Sequence, residues 1–370
     1  MLRRIIKMKN ILINFYDNKV MAFFQLVICM VFILFSHKTY ADMSIDLPKW
    51  QHHQMKGNPS LRGAAILNQS LWVTGSNNSV FVSQDGGKTW LDKSVKSTTK
   101  TDFRDIEIFD HKTAIVMGVG SGQSSMLYKT TDGGDNWHLL YQNTDEHGFF
   151  DSIGFWDKKT GLLLGDPVDG YYVVKKTENG GKTWRRIAKH KLPKMLAKEA
   201  AFAASGNTLI TGENGKAYIT TGGFSASVYS SDDYGETWQR HAVPLFQETQ
   251  TAGGYGLALN HLGQPFVLGG DYEQRPKQYA NMATLLNGNW QKVASGENGL
   301  KTAMSCQGNI CISTGKTSTD ISFNAGSHWQ HFSIEQLSEG DKGFYTLASD
   351  NFVFLAAGAN GKVGVLSFKR

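Results

Sequence analysis

The sequence lacks nearly every signature of an enzyme or a nucleic-acid binder. Its eleven histidines show no HExxH or comparable ligand spacing, so no metal site is expected. Its 40 glycines form no Walker loop, no dinucleotide fingerprint and no Gly-x-Ser-x-Gly elbow; they punctuate turns instead. Cysteine is scarce, three in 370 residues, which excludes a cysteine-rich metal knuckle. No stretch sustains a helical period. These absences predict a chain without a cofactor.

What is present begins with an apolar run at residues 21–35 (MAFFQLVICMVFILF), preceded by Arg3, Arg4, Lys7, Lys9 and Lys19 and followed by Thr39-Tyr40-Ala41. This pattern reads as a secretory signal peptide over residues 1–41, cleaved after Ala41. The run is short for a spanning helix, which needs about 20 residues; uncleaved, it would be the chain's one attachment to a membrane. Residues 42–370 then form the mature domain, in the periplasm or outside the cell. The leader holds six basic residues and one acid, so the formal charge of +6 falls to +1 without it. A near-neutral domain carries no basic stripe, and no nucleic-acid partner is expected. Cys306 and Cys311 remain, flanking Gln307-Gly308-Asn309-Ile310. In an oxidising compartment they are placed to bridge a hairpin, the alternative being two free thiols.

The most informative feature is a repeat. Residues 83–90 (SQDGGKTW), 130–137 (TTDGGDNW), 177–184 (TENGGKTW) and 231–238 (SDDYGETW) are near copies. Residues 322–329 (SFNAGSHW) form a degraded fifth, and a sixth keeps little beyond its glycine and Trp290. The shared pattern is the Asp box, S/T-x-D/N-x-G-x-T-W. Asp85, Asp132, Asn179, Asp233 and Asn324 are its turn-holding side chains, because a short carboxylate or amide can bind the amides ahead of it. The tryptophan opens the next strand and buries a large apolar area. Repetition argues against catalysis by these residues, since an active site needs one constellation.

Around the first box, residues 61–67, 71–75, 79–83 and 89–93 read as a four-stranded meander. Radially repeated meanders of this kind make a β-propeller. After Trp329 three strands remain (343–349, 351–357 and 362–368), and the fourth is missing. Trp50-Gln51-His52-His53 matches Trp329-Gln330-His331-Phe332. The fold expected is therefore an all-β, seven-bladed propeller whose ring is closed by the mature N-terminal strand, and a monomer.

With these motifs the chain resembles the BNR/Asp-box superfamily that includes sialidases, and more closely the bacterial relatives of the photosystem II stability and assembly factor. The resemblance runs from about Ser60 to the C-terminus and includes segments between the boxes: SLRG at Ser60, DFRDIE at Asp102, FFDSIGFWD at Phe149, GDPVDG at Gly165, AFAASG at Ala201 and GGDY at Gly269. It implies a seven-bladed propeller that binds a partner. A sialidase would need an Arg-Ile-Pro element, which is absent, and an arginine triad. Arg185, Arg186 and Arg240 lie beside box tryptophans, on outer strands.

Aligning the blades on their first strands brings Arg62, Arg104, Asp151, Glu199, Tyr255, Lys301 and Tyr345 to one mouth of the central channel. Loops on the same face add Asp166, Asp169, Glu213, Asp271, Tyr272 and Arg275. Arginine suits bidentate contacts with carboxylate or phosphate, so the mouth is expected to bind a protein partner or a small anionic or sugar-like ligand. The alternatives are mutual charge pairing that stabilises the ring, or glycoside hydrolysis by paired carboxylates. The leading expectation is a non-catalytic scaffold with no catalytic residue.

Overall fold

A computed structural model describes residues 47–332 and 343–369; the leader expected over residues 1–41 lies outside them. From Lys49 onward the chain forms one compact unit. Among the described residues no helix is long and apolar enough to cross a membrane.

Seven four-stranded antiparallel sheets stand around a channel. The innermost strands of blades 1 to 7 are Leu61–Leu67, Asp102–Ile108, Phe150–Phe155, Leu209–Thr211, Ala252–Leu259, Ala303–Gln307 and Thr346–Asp350. Each blade meanders outward from there. The seventh takes its outer strand from the other end of the chain: Gln51–Gln54 pairs with Lys362–Ser367, Gln51 opposite Val365 and Gln54 opposite Lys362. Trp50 is buried at this seam, its ring 5.3 Å from Phe344 and 6.2 Å from Phe332.

The core lies between neighbouring blades. Second strands such as Ser70–Gly75 and Ala114–Val119 are buried throughout, because both of their faces meet another sheet. They therefore read as continuous apolar runs, without the alternation of a half-exposed strand. Box tryptophans fill the outer part of the same interface: Trp238 joins the cluster of Leu162, Val174 and Ile219 between blades 3 and 4.

The box turns share one hydrogen-bond scheme. In the first, the Ser83 hydroxyl donates to Asp85 (2.8 Å) and accepts from the Gly87 amide (2.9 Å). Asp85 accepts from the Thr89 amide (2.9 Å) and hydroxyl (2.6 Å). Asp132, Asn179, Asp233 and Asn324 repeat it, each accepting from the amide four residues on at 2.8–2.9 Å. The degraded fifth box thus keeps the geometry with asparagine. These bonds hold the carboxylates low, Asp132 at about 2.

Cys306 and Cys311 face each other across the first two strands of blade 6 and are joined. With only five residues of separation, loop-closure entropy gives the bond about 2 kcal/mol. Replacing both cysteines by alanine is expected to lower denaturant stability by about that amount, measured by urea titration. A loss several times larger would mean that the bond holds more than its own hairpin.

Candidate functional site

Side chains reach the channel mouth by a local irregularity repeated from blade to blade. At the start of the inner strand the ladder skips one residue. Leu61 pairs with Gly75 and Gly63 with Thr74, leaving Arg62 out. The same register shift leaves out Arg104, Asp151 and Tyr255. A β-bulge bends the strand and re-aims the extra side chain, here into the channel.

A glycine in or just after the second strand lies against the backbone at three of these bulges and at the start of blade 6. A Cβ on Gly75, Gly165, Gly269 or Gly315 would lie 2.2, 2.5, 2.0 or 1.7 Å from the carbonyl oxygen of Ser60, Phe149, Gly253 or Leu300. In each case that carbonyl lies two residues before a mouth residue: Arg62, Asp151, Tyr255 or Thr302.

One residue per blade, Arg62, Arg104, Asp151, Phe202, Tyr255, Thr302 and Tyr345, lines a cavity of about 480 Å³. Asp166, Tyr272, Arg275, Lys316 and Phe149 add to its wall. Of the residues expected at the mouth, Arg62, Arg104, Asp151, Asp166, Tyr255, Tyr272, Arg275 and Tyr345 are brought together.

The others lie elsewhere. Glu199 is buried inside blade 4, accepting hydrogen bonds from the Leu196 amide (2.6 Å), the Tyr229 hydroxyl (3.0 Å) and the Thr221 hydroxyl; Phe202 holds the mouth position. Lys301 is wholly buried, with its ammonium on Asp320 and Ser318, and Thr302 lines the cavity. Asp271 is buried, holding the Thr249 and Thr251 hydroxyls (both 2.7 Å) and the Glu273 amide (2.8 Å). Asp169 stands at a hairpin tip with a positive φ of 54°, beside Lys189 at 2.5 Å. Glu213 connects the first two strands of blade 4, on the box-bearing face. Among the described residues no group of three or more histidine, cysteine or acidic side chains is placed to hold a metal.

Both blade-1 and blade-2 arginines are fixed by carbonyls of the same segment. Arg62 donates to Ala204 (2.9 Å) and Arg104 to Ala203 (2.7 Å), while Arg104 Nε donates to Asp102 (2.8 Å). The Arg62 guanidinium also lies 4.8 Å from the Tyr345 ring centre. Burial, then the charge of Arg104, lowers the Arg62 pKa. Arg62 Nε, Asp151 Oδ2 and Asp102 Oδ1 are buried without hydrogen-bond partners. Burial pushes the Asp151 carboxyl well up, Asp166 pushes it further and Arg104 opposes; burial raises Asp166 too. Opposite, Phe202 and Tyr255 stack with centroids 4.5 Å apart. Among the described residues Asp102 is the only acid in an ion pair with these arginines. Four cations therefore face the cavity, and among the described residues one ion-paired carboxylate, Asp102, offsets them.

Deeper in the channel Asp105 and Glu107 line a second, smaller space. Burial pushes the Asp105 carboxyl up to about 7, against hydrogen bonds from the Ile153 amide, the Ser152 hydroxyl and the Ile106 amide. Glu107 is also raised, by burial and then by Asp105. The folded state keeps the Asp105 proton that an unfolded aspartate releases near pH 4, so stability falls as pH rises from about 4 to about 7. Asp105→Asn is expected to flatten that decline in thermal midpoints measured across the window; an unchanged slope would place the titration elsewhere. The box aspartates act oppositely, losing their contribution as pH falls below about 4.

The arrangement is that of an Asp-box propeller with a cation-lined mouth. The sequence profile of the photosynthesis system II assembly factor YCF48 matches residues 117–314, and the chain belongs to that family. Among solved structures it is similar to a YCF48 bound to a D1 peptide (14% identity, 87% of this chain and 100% of that one, TM-score 0.63). YCF48 from Cyanidioschyzon merolae is similar as well (14%, 86% and 99%, 0.63). So is virginiamycin B lyase from Staphylococcus aureus (10%, 87% and 99%, 0.65). At these identities the likeness is one of fold. Comparison with the curated proteins finds no match.

Proposed function

We propose that the protein is an exported, non-catalytic propeller that holds an anionic part of a protein partner at its channel mouth, as a scaffold for assembly or stability of an envelope complex. The observation that carries this reading is the convergence of Arg62, Arg104, Arg275 and Lys316 on one cavity, with a single carboxylate paired to them among the described residues. A polypeptide partner is supported by the YCF48 that was solved with a D1 peptide. Export is supported by the leader-like residues 1–41 and by the bond between Cys306 and Cys311, since disulfides persist in oxidising compartments.

The test is affinity capture from native envelope extract on the immobilised, exported protein, beside an Arg62→Ala/Arg104→Ala variant. One specific protein retained by the parent is expected to be lost by the variant. Equal retention by both would move the working surface away from the mouth, and no retention by either would remove the scaffold reading.

A second reading, hydrolysis of a glycoside, draws on one observation. Asp151 and Asp166 interact in the same cavity with unequal burial, as an acid and its carboxylate partner do. Turnover of an aryl glycoside that disappears in Asp166→Asn would put this reading first.

A further inference from the structure

The unpartnered atoms of the mouth say what kind of group it takes. Asp151 is 1% exposed, and its Oδ2 has no partner. Arg62 Nε is likewise buried and unpaired. Buried polar groups are otherwise almost always satisfied, and these two belong to residues lining the same cavity. Among the described residues the one acid in an ion pair with these arginines is Asp102, through an oxygen bound to Arg104 Nε. The two guanidiniums are already immobilised by the Ala203 and Ala204 carbonyls. A planar fork held in advance loses little freedom when an anion arrives.

Resting on the reading of the mouth as a binding site, we propose that it contains a carboxylate socket: a carboxylate docks between Arg62 and Arg104, meets the unpartnered Asp151 oxygen, and lays its apolar remainder against Tyr345 and the Phe202–Tyr255 stack. Carboxylate suits the site better than a larger, more highly charged anion, because one edge of the socket is itself a carboxyl group. Asp151 can face an anion only with its proton on, as a donor, and its burial with Asp166 alongside keeps the proton there. Around Asp151, Arg104 works in the opposite sense. Tyr172, whose hydroxyl interacts with both Asp151 and Glu199, adds no cation. Arg62, Arg275 and Lys316 supply the remaining charge of the cavity. A ligand carboxylate could belong to a free small acid or to the end of a polypeptide chain; the chemistry at the socket is the same.

The test is calorimetric titration of the protein, purified after export, with N-acetyl-L-phenylalanine, its carboxamide, and benzoate. The acid is expected to bind at least about ten-fold more tightly than the amide, because only the carboxylate can take the bidentate contact. Arg62→Lys keeps the charge but loses the fork, and is expected to cost at least about ten-fold. Raising the pH until the Asp151 proton leaves is expected to weaken binding in the parent, and Asp151→Asn is expected to bind at low pH and lose that dependence.

Equal affinity for acid and amide, an Arg62→Lys variant that binds like the parent, or an unchanged pH profile in Asp151→Asn would overturn the socket. Benzoate binding as tightly as the acetylated amino acid would identify a free acid as the source. Tighter binding of the amino acid would identify a chain end, and either result upholds the socket. Capture of a partner through the mouth without carboxylate binding would remove the socket and leave the scaffold. Carboxylate binding with no partner captured would do the reverse.

Discussion

Replacing Lys301 by alanine is expected to cost about 3–5 kcal/mol, the usual penalty for stripping one partner from a buried ion pair. Lys301 and Asp320 are both wholly inaccessible, with Nζ 2.7 Å from Asp320 Oδ2 and 2.6 Å from the Ser318 hydroxyl. Burial lowers the lysine pKa, and the Asp320 carboxylate works against that. Without the ammonium, Asp320 would remain as a lone charge between strands. A Lys301→Met/Asp320→Leu variant removes both charges and is expected to be far less damaged, since a buried pair and a packed apolar replacement are often of similar stability. Urea unfolding of the three proteins decides this: if the double variant is as unstable as Lys301→Ala, packing and not charge is what the lysine supplies.

The second large effect is expected one strand away. A Cβ on Gly315 would lie 1.7 Å from the Leu300 carbonyl oxygen and 3.1 Å from the Lys301 Cα. Both are backbone atoms, which cannot swing aside as a long side chain can. Gly315→Ala should cost about 3 kcal/mol, at the upper end of overpacking penalties. It should also displace the Leu300–Lys301 backbone that leads into Thr302, and the segment that carries Lys316. Loss of stability with mouth binding intact would separate the glycine from the site. Because Gly315 and Lys301 share this contact, their substitutions are not expected to add.

The ring itself was legible in the sequence because its grammar is local. Each box is eight residues with its own hydrogen-bond scheme, and the resemblance of Trp50-Gln51-His52-His53 to Trp329-Gln330-His331-Phe332 was enough to place the closing strand. The mouth was legible in blades where the inner strand begins cleanly. Blade 4 defeated the alignment because its inner strand is only Leu209–Thr211. Ahead of it the described chain makes an isolated bridge between Ala200 and Gly222 in place of a strand ladder, so Glu199 stood in for Phe202. Blade 6 failed by one residue, and in a strand one residue reverses the face. A usable signal was present in the glycines. Counting back 13 or 14 residues from Gly75, Gly118, Gly165, Gly269, Gly315 and Gly358 reaches Arg62, Arg104, Asp151, Tyr255, Thr302 and Tyr345. Asp169 and Asp271 were misplaced for another reason: carboxylates at a hairpin tip or a strand end satisfy nearby amides, hydroxyls and lysines before they reach a channel.

The seam in the seventh blade fixes the order in which the molecule can be finished. Six blades are each made from a continuous stretch and can form as their residues become available. The seventh needs Gln51 beside Val365, the most distant pairing the described chain contains. Such a contact carries the largest loop-closure cost and the slowest search, so the N-terminal strand waits longest for its partner. A chain exported leader first would cross with its latch unfastened and become a closed ring only after its final strands arrive.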